Sequence, residues 1–146
     1  MKTKESIQKY NNCFVCGDKN KIGLKIDFFY EDGKAKAEYT PTKNFEGYKD
    51  ILHGGILSSL LDEVMIKAIL AKELITVTTR IEVTFKIPAK IGEKLFLEGE
   101  ITEDKKKLVL TKGKVLNQDG RITATAKGTF FKIKGEREKQ FQQDLS

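Results

Sequence analysis

The chain has 146 residues, 39% apolar and 33% charged, with 27 basic against 21 acidic side chains and a net charge of +6. That length supports one domain with a real core, and no apolar run approaches the roughly 18–20 residues of a membrane span. The first twelve residues lack the apolar stretch of a secretion signal and two cysteines make no disulfide framework, so the expectation is a cytoplasmic protein with no membrane partner.

Residues 1–21 read as a polar N-terminal arm that carries a turn, Cys13-Phe14-Val15-Cys16-Gly17. A lone Cys-x-x-Cys is either a redox pair or half of a zinc site. With no further cysteine and one distant histidine, a four-ligand zinc site within the chain is unavailable. That leaves a zinc site shared between subunits or two structural thiols in a turn; the second is the reading adopted, and no metal or other cofactor is expected. Ile22 to Tyr30 reads as a half-buried strand with Leu24, Ile26, Phe28 and Tyr30 on one face; Glu31-Asp32-Gly33 is a hairpin turn, and Ala35, Ala37 and Tyr39 continue the alternation. Pro41 closes that strand, and residues 42–52 form a loop.

The next stretch, Ile51–Ala71, has apolar residues at Ile56, Leu57, Leu60, Leu61, Val64, Met65, Ala68 and Ile69, the broad stripe of a long amphipathic helix. It opens at His53-Gly54-Gly55, where the first N–H groups lie at the positive end of the helix dipole, a place for an oxyanion or a polarised carbonyl. Two turns further on come Asp62 and Glu63. Asp62 sits at the edge of the apolar stripe, where burial raises a carboxylate's pKa, and is the better candidate for chemistry. Glu63 has Ser59 and Lys67 one turn away on either side, the surroundings of a solvated ion pair. The expected site sets Asp62 beside the amides that open this helix.

After the helix the period changes to two. Residues 75–87 form a long strand stopped by Pro88. Ile91-Gly92 turns the chain into a strand over 94–103. A charged hairpin at 104–107, a strand over 108–116, a turn at 117–120 and a last strand over 121–133 follow. Four consecutive strands are expected as an antiparallel meander. The fold class is α+β: one long central helix wrapped by a curved antiparallel sheet of about six strands. Residues 22–134 form the domain and 135–146 a loose polar tail. One helix cannot cover the sheet's edges, so the long strand is expected to pair with a second copy. The excess of basic charge suits an anionic ligand. Aromatic and basic residues are not interleaved, so nucleic acid is not an expected partner.

Several stretches carry a family likeness: CFVCG with GL at Cys13–Leu24, FEGYKDILHGGILSSLLDE at Phe45–Glu63, and VTTRIEVTFKIPAKIGE at Val77–Glu93. His53-Gly54-Gly55 followed by Asp62 is the most specific part. In these the chain resembles the hotdog-fold acyl-CoA thioesterases, in particular the phenylacetic-acid-pathway group with human thioesterase superfamily members 2 and 4. The resemblance implies hydrolysis of an acyl-CoA to a free acid and coenzyme A by a homodimer, or by a tetramer built as a dimer of dimers. It implies Asp62 as general base or nucleophile, the Gly55 N–H as the carbonyl's donor, and His53 as an orienting group. Thr78 stands where relatives have a Ser or Thr near the attacking water, although strand parity sets it opposite Val77 and Thr79. Gly54, Glu63, Leu52 and Thr79 are implied as substrate contacts. Gly47 stands where some relatives have an amide side chain. Lys90 and the cluster at residues 105–107 are the candidates for the coenzyme's phosphates. Two other readings fit the fold: a non-catalytic acyl-CoA-binding module, which has no need of Asp62, and a dehydratase or hydratase, for which the spacing from histidine to acid is too short.

Overall fold

The computed structural model describes residues 4–143 and Leu145. Its strands are β1 (Glu5–Ser6), β2 (Phe29–Glu31), β3 (Lys34–Tyr39), β4 (Thr76–Phe85), β5 (Leu95–Asp104), β6 (Leu108–Leu116) and β7 (Ile122–Lys132). Between β3 and β4 lies the helix α1 (Gly54–Leu70), and a short helix α2 (Glu136–Gln142) follows β7. The sheet is antiparallel in every pairing, with the order β1-β2-β3-β5-β6-β7-β4. The α+β architecture of one long helix on one antiparallel sheet is the one expected, with the arm adding a two-residue seventh strand. No helix among the described residues is long and apolar enough to cross a membrane.

The four-strand meander is not observed. Strand β4 pairs with β7, and β5 starts beside β3, with Tyr39 opposite Leu95. The connection after β4 explains the change. Leu52 N donates to Ala89 O (2.8 Å), Ile91 N to Asp50 O (3.0 Å) and Gly92 N to Pro41 O (2.9 Å). These bonds carry the chain across the sheet to the loop before α1, so Ile91-Gly92 ends a crossover and not a hairpin. Strand β4 is left on an open edge.

Helix α1 buries Leu57, Leu60, Leu61, Val64, Met65, Ala68 and Ile69. Beneath it three glycines lie in register: Gly99 of β5 faces Gly113 of β6, and β6's next-but-one residue, Thr111, faces Gly128 of β7. A Cβ on Gly99 would stand 2.5 Å from the Val64 carbonyl oxygen, so here helix backbone lies against strand backbone. A Cβ on Gly113 would instead meet the flexible Met65 side chain at 3.1 Å. The other side of the helix is covered as well. Ile7, Val15 and Cys16 of the arm belong to the same core, each at most 5% exposed. The expected loose tail differs too: Glu136 and Glu138 occupy the first turn of α2, where they suit the helix dipole, and Leu145 bridges back to Tyr10.

Gly99→Ala is expected to cost about 3 kcal/mol, because the backbone it meets cannot step aside, and Gly113→Ala about 1 kcal/mol. In thermal unfolding the first should lower the midpoint by roughly 10 °C. Equal shifts for the two variants would contradict this packing.

Candidate active site

The start of α1 is held before any side chain of the site is placed. His53 N donates to Phe45 O (2.9 Å), and the His53 carbonyl accepts from Ile56 N and Leu57 N at 3.0 and 3.1 Å. His53 is the N-cap residue. Its Nδ1 accepts the Gly55 N–H at 2.8 Å, which leaves the proton of a neutral ring on Nε2. The Gly55 N–H is therefore engaged by the ring and not open, as the sequence had suggested. Around this helix start lies a largely apolar pocket of about 650 Å³, lined by Tyr48, Leu52, His53, Gly54, Leu57 and Phe85. Tyr48 and Phe85 are 87% and 54% exposed. Exposed aromatics of that size are what a concave binding site or an interface presents.

Asp62 projects from the middle of the helix toward β4. The Thr78 hydroxyl donates to its Oδ1 at 2.8 Å. Strand parity alone left the direction of Thr78 open, and a bulge resolves it: Thr78 pairs with Phe130 and Arg80 with Thr129, so Thr79 has no opposite residue. Such a bulge re-aims one side chain of an edge strand. Thr79 itself is exposed. Burial holds the Asp62 carboxyl above the usual carboxylate range, with the Thr78 hydroxyl pulling the other way and negative charge at Cys13 adding to the rise.

Gly55 and Asp62 do not meet within one chain. Seven residues of α-helix separate them by about 10 Å along the axis. The expectation of a carboxylate beside the opening amides is corrected by that rise. Asp62 and Thr78 form one half-site. His53, Gly54, Gly55 and Leu52 form another, with Phe85 against Gly54 at the far end of the same strand.

Glu63 belongs to neither. In place of a solvated ion pair it lies under the arm on another flank of the helix, only 14% exposed, against Cys13 Sγ (3.5 Å) and Lys67 Nζ (3.7 Å). Lys67 is 1% exposed, and its ammonium also donates to the Gln8 carbonyl. The arm lying over this face is the reason, and i±4 spacing within a helix could not reveal it. Burial pushes the Glu63 carboxyl up to about 7. Hydrogen bonds from Cys16 hold the Cys13 thiol down at about 5, whereas Cys16, which donates to it, is raised. Tyr48 and Phe85 were the site residues that sequence reasoning missed. Phe85 shared the parity of the strand's core-facing residues, and its exposure at an edge was the unreadable part.

Because His53 satisfies an N-terminal amide, His53→Ala should cost about 1 kcal/mol in urea unfolding, and His53→Asn, which can also cap, less than half of that. Equal losses would show that the ring acts by packing.

The chain matches the thioesterase superfamily over residues 49–124, just over half its length. An uncharacterized protein of Schizosaccharomyces pombe is 27% identical over 110 residues, which are 70% of this chain and 63% of that protein, so the chain spans under two thirds of this relative. Among solved structures, the PaaI protein of the Escherichia coli phenylacetic acid degradation operon superposes with a TM-score of 0.72 at 26% identity, covering 77% of this chain and 82% of PaaI. A thioesterase-class protein of Streptococcus pneumoniae, solved with coenzyme A, superposes with a TM-score of 0.67 at 23% identity, over 69% of this chain and 82% of that one. With the strand order, the single long helix and the match from Lys49 to Ala124, this chain belongs to the thioesterase superfamily, in its hotdog fold.

Proposed function

We propose that the protein hydrolyses acyl-CoA thioesters, with each active site assembled from two copies of the chain. The observation that carries this reading is a partly buried carboxylate, Asp62, bonded by Thr78 on an open sheet edge and about 10 Å along the helix from the only Gly-Gly helix start. General-base catalysis needs carboxylate and carbonyl within reach of one water molecule. A second copy supplies the missing half. If two β4 edges pair antiparallel about a two-fold axis near Ile81, the Thr78 end of one strand meets the Phe85 end of the other. Asp62 of one copy then faces the helix start of its mate.

In that arrangement the thioester carbonyl replaces the His53 ring as acceptor of the Gly55 N–H. Asp62 takes a proton from water, and the water oxygen attacks the carbonyl carbon. The oxyanion that forms is stabilised at the helix N-terminus, worth about 3–4 kcal/mol for a well-placed donor. Collapse breaks the C–S bond, and the departing thiolate recovers the proton from Asp62. The acyl chain occupies the apolar pocket beside Leu52, Leu57 and Phe85. The turn at residues 105–107 lies at the Thr78 end of the sheet, since Leu108 and Thr78 pair with adjacent residues of β7. Lysines there and Lys86 at the pocket are suited to the coenzyme's phosphates. The S. pneumoniae neighbour solved with coenzyme A supports the choice of ligand.

Asp62→Asn should lower kcat for acyl-CoA hydrolysis by about 100-fold or more with little change in KM, read as release of free thiol. Thr78→Ala should have a smaller effect in the same direction. Unchanged rates in Asp62→Asn, with acyl-CoA still bound, would make the protein a binding module. Light scattering should give a multiple of the 16.5 kDa chain mass; a monomer that turns over acyl-CoA would refute the shared site.

A further inference from the structure

The cluster under the arm, on another flank of α1, plays no part in the reaction above. Cys13, Cys16 and Glu63 each offer one ligand atom, all lying within 4.8 Å of one another, at a place where Cys16 is fully buried. We propose that these three residues form a binding site for a divalent cation of the zinc class, which ties the N-terminal arm to the catalytic helix.

The one ligand separation that can be compared directly fits a tetrahedral site, and the others lie within 4.8 Å. Zinc–sulfur bonds of about 2.3 Å and zinc–oxygen bonds of about 2.0 Å set tetrahedral edges of about 3.5 Å for S···O and about 3.8 Å for S···S. The separation of Cys13 Sγ from Glu63 Oε2 is 3.5 Å. The turn that carries the thiols is shaped for the purpose. Cys16 N donates to Cys13 Sγ at 3.4 Å and Gly17 N to Cys13 O at 2.8 Å. Backbone amides aimed at the first sulfur of a Cys-x-x-Cys turn are the hydrogen bonds a metal-bound thiolate accepts. Gly17 is required there, since a Cβ would lie 2.4 Å from Asn11 O.

A second, independent feature points to the fourth position. A cavity of about 110 Å³ adjoins the cluster, lined by Tyr10, Cys13, Glu63, Lys67 and Thr76. Thr76 is 93% buried, and among the described residues its Oγ1 has no hydrogen-bond partner. A buried hydroxyl is rarely left so, and a water on a three-ligand cation would satisfy it. The charges also balance. Two thiolates match the charge of a divalent cation, and the Glu63–Lys67 pair keeps its own neutrality. Counting cysteines and histidines in the sequence could not find this site, because its third ligand is a carboxylate brought in by the helix.

The test is cobalt(II) and zinc(II) binding by the purified full chain. Cobalt should bind at about one equivalent per chain and show thiolate-to-metal charge-transfer bands with tetrahedral d–d bands; zinc should displace it and raise the unfolding temperature. Cys13→Ser should abolish the charge-transfer spectrum or shift it to that of a single thiolate. Glu63→Gln, nearly isosteric and checked for folding by circular dichroism, should weaken cobalt binding about tenfold or more. A folded protein that takes up neither ion, or that binds cobalt without thiolate bands, overturns the proposal. Uptake unchanged in Cys13→Ser also overturns it.

Discussion

The contact on which the structure depends is that of helix backbone with strand backbone at Gly99. Elsewhere a layer of side chains separates a helix from a sheet; here the Val64 carbonyl would be 2.5 Å from a Cβ built at Gly99. That depth lets strands from β3 to β4 curve around α1, and it brings the helix flank that bears Asp62 to within one hydrogen bond of Thr78. It also fixes the helix's rotation. With Leu60, Leu61, Val64, Met65 and Ala68 committed to the core, Asp62 must point to β4 and Glu63 to the arm.

A single chain built this way is divided along its helix. One end is an amide-rich start capped by His53, with aromatic residues around an apolar pocket. Halfway along stands a carboxylate with a hydroxyl partner. Both lie along the same open edge, and straight helical rise keeps them apart. Sheet edges of ten residues invite pairing. In the proposed dimer, the pairing that would protect the edge is also the one that would join the two halves of the site, so assembly and chemistry would rest on one strand.

Much of this was legible in the residues, because the information was local. Apolar spacing from Ile56 to Ile69 gave the helix, Gly-Gly after His53 marked its start, and alternation gave β4 to β7 to within a residue or two but overran before the first hairpin, where only Phe29–Glu31 is strand. What could not be read depended on pieces far apart in sequence. Whether β4 pairs with β5 or β7 is decided by bonds from residues 89–92 back to 41–52. Glu63 and Lys67 look like a surface pair until the arm is known to cover them. The direction of Thr78 depends on one skipped residue in the ladder. His53's hold on the Gly55 N–H is a rotamer choice that no spacing encodes.

The most direct test mixes two inactive proteins. Asp62→Asn lacks the base, and Gly55→Pro lacks the N–H while keeping a residue tolerated in a helix's first turn. Unfolded together and refolded, they should form mixed dimers in which one of the two sites is intact, restoring about a quarter of wild-type acyl-CoA hydrolysis at equal proportions. Each variant refolded alone should stay inactive. Recovery no greater than the sum of the separate variants would mean that base and helix start act within a single chain, contrary to the geometry of α1.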